Sequence, residues 1–399
     1  MRIRFICLIG LMSLMLAAAS LSAQGTPSEM KIIGYFASWA IYDREYFVTD
    51  IPAEMLTHLN YAFAGISEDG EIALLDEWGD TQFPYPGDAD DQPLKGNFNQ
   101  LQLLKEANPH LQTLISVGGW TESARFSDVA LTEASRQKFA ASVVDFITQY
   151  GFDGVDLDWE YPTGGGESGN VERAEDPENF VLLLAELRAQ LDALEAADGH
   201  HYPLTIALGA DNGAYDPLDW TRIVPLLDWI NVMDYDMSGS WSEVTGFNAP
   251  LYDSTDNPPE GTSADTSLTG LLALGVPAEK LVMGVPFYGH AWSGVEAADN
   301  GRHQPYTGTP NDEGSIDYRD IVGMIAGSER FWDATAQVPW LYDAESGTMI
   351  SYDDPESLAA KAAYVREHGL GGIMIWELSQ DTADSALLTA VYEGLNGAG

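Results

Sequence analysis

The sequence predicts an α/β fold, a closed (β/α)8 TIM barrel with a small inserted subdomain, and three observations predict it. From Met30 onward, short runs of β-branched and apolar residues alternate with stretches of helical periodicity, the pattern of parallel β/α units rather than of a sandwich. These runs number eight, the count that closes a barrel. Residues 291–350, between the seventh run and the last helix, are far more than a connection needs.

In chain order the predicted strands are Lys31–Phe36, Leu56–Phe63, Gln112–Val117, Gly154–Trp159, Leu204–Leu208, Trp229–Tyr235, Leu281–Val285 and Gly372–Trp376. Most are continuous apolar runs, as strands covered on both faces require. Between them, Phe139, Val143, Phe146 and Ile147 form one apolar helical stripe, and Phe180, Leu183, Leu184, Leu187 and Leu191 form another. Asp176-Pro177 and Asp354-Pro355 each place an N-cap acceptor before a proline at the first helical position. Gly369 stands where the helix from Pro355 needs its C-terminal glycine. The segment Ser67 to Pro93, acidic and rich in Gly and Pro, reads as a long loop after the second strand. Tyr306, Trp332, Trp340 and Tyr342 give the insertion enough bulk for a subdomain of its own. The barrel as a whole is expected to span residues 30–397.

Composition narrows the function. The 399 residues hold 18 Lys plus Arg against 62 Asp plus Glu, a formal charge of −44. That excludes a protein drawn electrostatically to nucleic acid or to an anionic membrane. With 45% hydrophobic residues, 11 Trp, 18 Tyr and 14 Phe, the chain can build a large core, and a globular monomer is expected. Arg2 and Arg4, the apolar stretch Phe5–Leu16 and small residues ending Ser22-Ala23 form the pattern of a secretory signal peptide over residues 1–23. Cleavage is expected near Ala23, with the mature protein secreted. The apolar run is shorter than a bilayer span, so no membrane anchor is expected. The one cysteine, Cys7, would leave with that segment, which rules out a disulfide, a zinc cluster or a thiol nucleophile.

The densest chemical signal is Asp153-Gly154-Val155-Asp156-Leu157-Asp158-Trp159-Glu160, at the C-terminal end of the fourth strand. Side chains alternate along a strand, so Asp156, Asp158 and Glu160 share one face while Val155, Leu157 and Trp159 share the other. Neighbours on that face lie about 6.6 Å apart at Cα, twice a rise of about 3.3 Å. A dry site does not tolerate three full charges so close, and at least one carboxyl should hold a proton. Glu160, the outermost, is the candidate acid. A magnesium or manganese site would also use paired carboxylates, but phosphate-handling Lys or Arg is missing nearby and aromatic residues stand there instead. No metal and no cofactor are expected.

This stretch resembles the Asp-x-x-Asp-x-Asp-x-Glu signature of glycoside hydrolase family 18 chitinases, and other motifs agree with it in the family's order from Ile32 to Asp381. Gly34-Tyr35 and Asn60-Tyr61-Ala62-Phe63 resemble the opening strands, and Ser116-Val117-Gly118-Gly119-Trp120 resembles the Ser-x-Gly-Gly motif of the third. Met233-Asp234-Tyr235-Asp236 resembles the sixth-strand Met-x-Tyr-Asp, Gly284-Val285-Pro286-Phe287-Tyr288-Gly289 the seventh, and Gly371-Gly372-Ile373-Met374-Ile375-Trp376-Glu377 the eighth. The insertion resembles the α+β subdomain that deepens the cleft in one branch of the family.

The resemblance implies a role for each matching position. Glu160 would protonate the glycosidic oxygen and later activate water, and the substrate's own acetamido oxygen would act as nucleophile, the family's exception to two-carboxylate retention. Asp158, supported by Asp156, would orient the acetamido group, with Asp153 holding the strand end. Tyr235 would donate a hydrogen bond to the acetamido oxygen. Tyr35, Phe63, Ser116, Gly119, Met233, Asp236, Tyr288 and His290 would line the subsite, Trp376 would floor it, and Trp120 and Trp241 would stack product-side sugars. The implied partner is chitin or its oligosaccharides. A lectin on the same scaffold is disfavoured because Glu160, Asp158 and Tyr235 are all present. Two positions depart from the family: His290 stands where many relatives carry Arg, and Asp234 where a small or hydroxyl residue is common, although strand alternation turns Asp234 away from the site.

Overall fold

A computed structural model describes residues 30–89, 91–254, 263–312 and 314–397. The signal-peptide segment with its cleavage point, and Cys7, lie outside the described residues. Eight parallel strands form the barrel: β1 (Lys31–Ala37), β2 (His58–Ile66), β3 (Gln112–Gly118), β4 (Gly154–Asp158), β5 (Leu204–Gly209), β6 (Trp229–Met233), β7 (Leu281–Pro286) and β8 (Gly372–Trp376). Each pairs with its neighbours in the sequence, and β1 pairs with both β2 and β8, which closes the sheet. The apolar runs are buried on both faces: one side packs against the helices, the other fills the barrel with Ile33, Tyr35, Leu114, Trp229, Val282 and Met374.

The helical stripes lie where the periodicity puts them, in Glu133–Tyr150 and Asp176–Asp198, with all nine apolar residues named above buried. Asp354 caps its helix by accepting from the Glu356 and Ser357 amides, and Gly369 closes it at φ 65°. Asp176 does otherwise. It is the first residue of its helix rather than the cap, and its buried carboxylate instead accepts from the Ser127 hydroxyl at 2.8 Å and the Arg173 amide at 2.7 Å. The segment after β2 is likewise more ordered than a loop. Ile72–Leu74 pairs antiparallel with Ala64–Ile66, and Trp78–Gln82 forms a π-helix whose Asp80 is buried against the Tyr61 hydroxyl. A buried carboxylate needing a donor fixes that turn, a cause composition does not reveal.

A second sheet of five antiparallel strands runs from Tyr288–Trp292 through Ser315–Asp317, Glu329–Asp333 and Val338–Asp343 to Thr348–Ser351, with the helix Tyr318–Met324 within it. It has its own core, Phe247, Trp292, Val338, Trp340, Tyr342 and Met349. Several contacts join it to the barrel. Arg44, in the loop after β1, makes a bidentate pair with Asp317 at 2.8 and 2.9 Å. The loop after β6 is held at several points: the Trp292 indole donates to the Gly239 carbonyl at 3.2 Å, the Tyr306 hydroxyl reaches the Ser240 and Ser242 carbonyls at 2.9 and 2.6 Å, and the Thr245 amide donates to the Gln304 carbonyl at 3.0 Å.

Candidate active site

Strand β4 divides as its alternation requires. Val155 and Leu157 join the helix-side core, and Trp159 follows them, stacked on Phe126 at 5.3 Å. Asp156 faces the barrel axis, where its carboxylate receives the Tyr35 hydroxyl at 2.6 Å, Ser116 at 2.8 Å, Thr205 at 2.5 Å and the Asn231 amide at 3.1 Å. Those donors come from β1, β3, β5 and β6. Burial raises the proton affinity of Asp156, and the four hydrogen bonds oppose that rise.

Asp158 sits one pleat higher and has no such shell: its Oδ1 is buried without a hydrogen-bond partner. Burial, then the charges of Glu160 and Asp156, push its proton affinity well up. Glu160 is 8% exposed. Burial raises its carboxyl to about 7, a hydrogen bond with Tyr161 opposes the rise, and the charge of Asp236 adds to it. Asp158 and Glu160 therefore compete for one proton.

The backbone around Glu160 is fixed by the end of β3. The Glu160 amide donates to Ser123 Oγ at 2.8 Å, and the Ser123 hydroxyl lies 2.8 Å from the Gly119 carbonyl and 3.1 Å from that of Asp158. The Gly119 amide donates to the Asp158 carbonyl at 2.8 Å. The glycines are required here. Gly118 at φ +106° would put a Cβ 2.3 Å from the Asp158 carbonyl oxygen, and Gly119 at φ +83° would put one 2.8 Å from the Phe63 ring.

Across the mouth, Tyr235 is buried with its hydroxyl 3.9 Å from Met374 Sδ, and it feels the charges of Asp158, Asp236 and Glu160. Met233 packs on the same interior cluster. Asp236 accepts the Tyr288 hydroxyl at 2.5 Å and lies 2.7 Å from His290 Nε2. The half-buried Trp376 ring stacks over Phe63 at 5.6 Å and meets Tyr35 at 5.4 Å. Trp120 and Trp241 follow β3 and β6 and are 48% and 61% exposed. Two named residues stand apart. Asp153 lies at the start of β4, where it accepts from the Thr113 amide at 2.7 Å and pairs with Lys105 at 2.6 Å. Asp234 turns outward, as alternation requires, and takes the Ser267 hydroxyl.

Sequence reasoning missed Trp39, 43% exposed and 6.1 Å from Phe63 and 6.4 Å from Trp376, and also Ser123, Thr205, Asn231 and Asn248. Thr205 and Asn231 carried a usable signal: each is an inward polar position in an otherwise apolar strand. Trp39 and Ser123 lie in short 3-10 turns, where no periodicity marks them. Among the described residues no cluster of three or more His, Cys, Asp or Glu is arranged to hold a metal.

The model of glycosyl hydrolases family 18 matches residues 31–381 of the chain. The chain belongs to that family. Chitinase A1 of Niallia circulans is 45% identical over 394 residues, covering 88% of this chain and 56% of that protein, so the chain spans about half the length of that family 18 relative. Endochitinase 1 of Metarhizium robertsii is 37% identical, covering 87% of this chain and 80% of its own length. Among solved structures, a chitinase from Bacillus thuringiensis superposes with a TM-score of 0.88 at 40% identity, covering 92% of this chain and 70% of that one. A family 18 N-acetylglucosaminidase from Paenibacillus barengoltzii gives 0.79 at 36%, covering 92% of this chain and 100% of that one. Among the described residues no helix is long and apolar enough to cross a membrane.

Proposed function

We propose that the protein is a secreted chitinase that hydrolyses β-1,4 bonds between N-acetylglucosamine units with retention, through an oxazolinium intermediate. The observation that carries this reading is Glu160, a buried carboxyl that keeps its proton to about pH 7, beside the partnerless Oδ1 of Asp158 at the mouth of a family 18 barrel. A protonated Glu160 delivers its proton to the glycosidic oxygen as the bond to the anomeric carbon breaks. The 2-acetamido carbonyl oxygen forms the new bond to that carbon, and the open Oδ1 of Asp158 takes the acetamido N–H and steadies the positive charge. Tyr235 donates to the same carbonyl oxygen. Glu160, now ionised, draws a proton from the water that opens the oxazolinium ring. Asp156, gathered by four donors, anchors the strand beneath Asp158, while Asp153 braces the far end of β4. Tyr35, Phe63, Gly119, Met233 and Asp236 line the subsite, Ser116 lies behind it with its hydroxyl on Asp156, Trp376 floors it, and Trp120 and Trp241 offer flat faces to the sugars beyond the cut. The chemistry calls for no metal or cofactor. Names of the relatives, chitinases and an N-acetylglucosaminidase, support the sugar.

Chitin hexamer and its fully deacetylated counterpart, followed side by side by product analysis, test the proposal. The acetylated chain should be cut and the amine form left whole. Rapid cleavage of the deacetylated hexamer would assign the nucleophile to the protein instead.

A further inference from the structure

Strand β4 ends too early to hold Glu160. Its ladder with β3 runs to the pair Gly118 and Asp158, and its ladder with β5 to the pair Leu157 and Ile206. Glu160 lies beyond both, and among the described residues neither its amide nor its carbonyl bonds to other backbone. Buried peptide groups need partners, and two side chains supply them. The amide donates to Ser123 Oγ at 2.8 Å, and the carbonyl accepts Asn170 Nδ2 at 3.1 Å.

Asn170 belongs to the connection 161–175 between β4 and the helix Asp176–Asp198, and that connection is folded back against the acid. Gly166 lies so near that a Cβ there would stand 2.0 Å from the Glu160 carbonyl oxygen and 2.8 Å from Asn170 Nδ2. The Val171 amide donates to the Ala124 carbonyl at 3.3 Å, which joins the connection to the turn that carries Ser123. Further along, the Arg173 guanidinium reaches the Ser127 hydroxyl at 2.6 Å and Asp128 at 2.7 Å. The Glu160 Cα therefore stands between two pinned peptide units, one held by the turn after β3 and the other by this connection. The bearing of its side chain follows from both.

We propose that Asn170 is a positioning residue for the acid: by holding the Glu160 carbonyl opposite the Ser123 bond, it aims the carboxyl at the glycosidic oxygen. The proposal rests on the reading of Glu160 as the proton donor. Without Asn170 the carbonyl side is free to turn and the carboxyl tilts with it, while Asp156, Asp158 and Trp376 keep their own contacts.

Two substrates separate lost aim from general damage. Chitin hexamer has a leaving group that needs a proton, whereas the para-nitrophenyl glycoside of the acetylated disaccharide releases nitrophenolate without one. The quantity compared is kcat/KM, which reports the steps up to the first bond cleavage. Asn170→Ala should lower it roughly tenfold on the hexamer, short of the 10²-fold that a full 1 Å misplacement can cost, and leave it in place on the nitrophenyl substrate. Ser123→Ala, which frees the amide instead, should show the same split, and Glu160→Gln a larger one. Adding Asn170→Ala to Glu160→Gln should cost nothing more, because no acid is left to aim. An equal fall on both substrates, an undiminished rate on the hexamer, or a further loss in the double variant overturns the positioning role while a split in Glu160→Gln keeps the acid where it is. Absence of any split in Glu160→Gln overturns the reading of the acid and the positioning role with it.

Discussion

Asp156 and Asp158 are the same residue on the same face of the same strand, two positions apart, and the protein treats them in opposite ways. Asp156 is met by four donors from four other strands; Asp158 keeps an oxygen without any. Burial acts on both. The difference lies in supply: at the depth of Asp156 the barrel offers inward-facing Tyr35, Ser116, Thr205 and Asn231, and one pleat higher the same strands carry Ala37, Gly118, Ala207 and Met233, none of which has a side-chain donor. A carboxyl with its full set of donors is architecture. One that lacks them holds its proton tightly, competes with Glu160, and is left with an oxygen to offer a ligand.

Three substitutions break or sharpen that contrast. Glu160→Gln keeps the shape and removes the proton donor, and hydrolysis of chitin oligosaccharides should fall by roughly 10²–10⁴-fold, the usual worth of a general acid, while binding persists. Turnover near that of the parent would place the acid elsewhere. Asp158→Asn should cost about 10²-fold in kcat, as loss of a group aimed at developing charge does. It also carries a pH signature. Glu160 must be protonated to act, so activity is present below its pKa and lost as pH rises through about 7. Asp158 holds its own proton tightly, so an uncharged replacement takes no negative charge away from Glu160, and the alkaline limb of kcat should stay near pH 7. A limb that moves to lower pH would mean that Asp158 is ionised while Glu160 holds the proton. Thr205→Val is the smallest change: it removes one of the four donors to Asp156 and should lower stability by about 1 kcal/mol, read as a shift in urea midpoint. A loss several times larger would show the four bonds acting as one cooperative unit.

The carboxylate face of β4 was legible because period-two alternation in an apolar strand leaves no other place for Asp156 and Asp158, and the eight strands were legible because parallel strands buried on both faces must be apolar throughout. Their ends were less so. Leu56–Phe63 in fact runs His58–Ile66, since backbone pairing with the short strand Ile72–Leu74 extends it past the apolar run. Asp176 reads as a cap and is spent on Ser127 and Arg173, a tertiary demand overriding a local one. Trp39, Ser123 and Asn248 act from turns, where position comes from contacts far along the chain rather than from any neighbour in the sequence.

The loop that bears Trp241 is fastened by Trp292, Tyr306 and Gln304, all contributed by the insertion, whereas Asp156, Asp158 and Glu160 are fixed by barrel strands and the turn after β3. On the proposed reading, the grip on the far sugars is thus held mainly by the insertion and the proton transfer mainly by the barrel. Exchanging, trimming or enlarging the insertion would loosen that loop and would also reach Glu160 through Asp236, which Tyr288 and His290 hold and whose charge raises the Glu160 carboxyl.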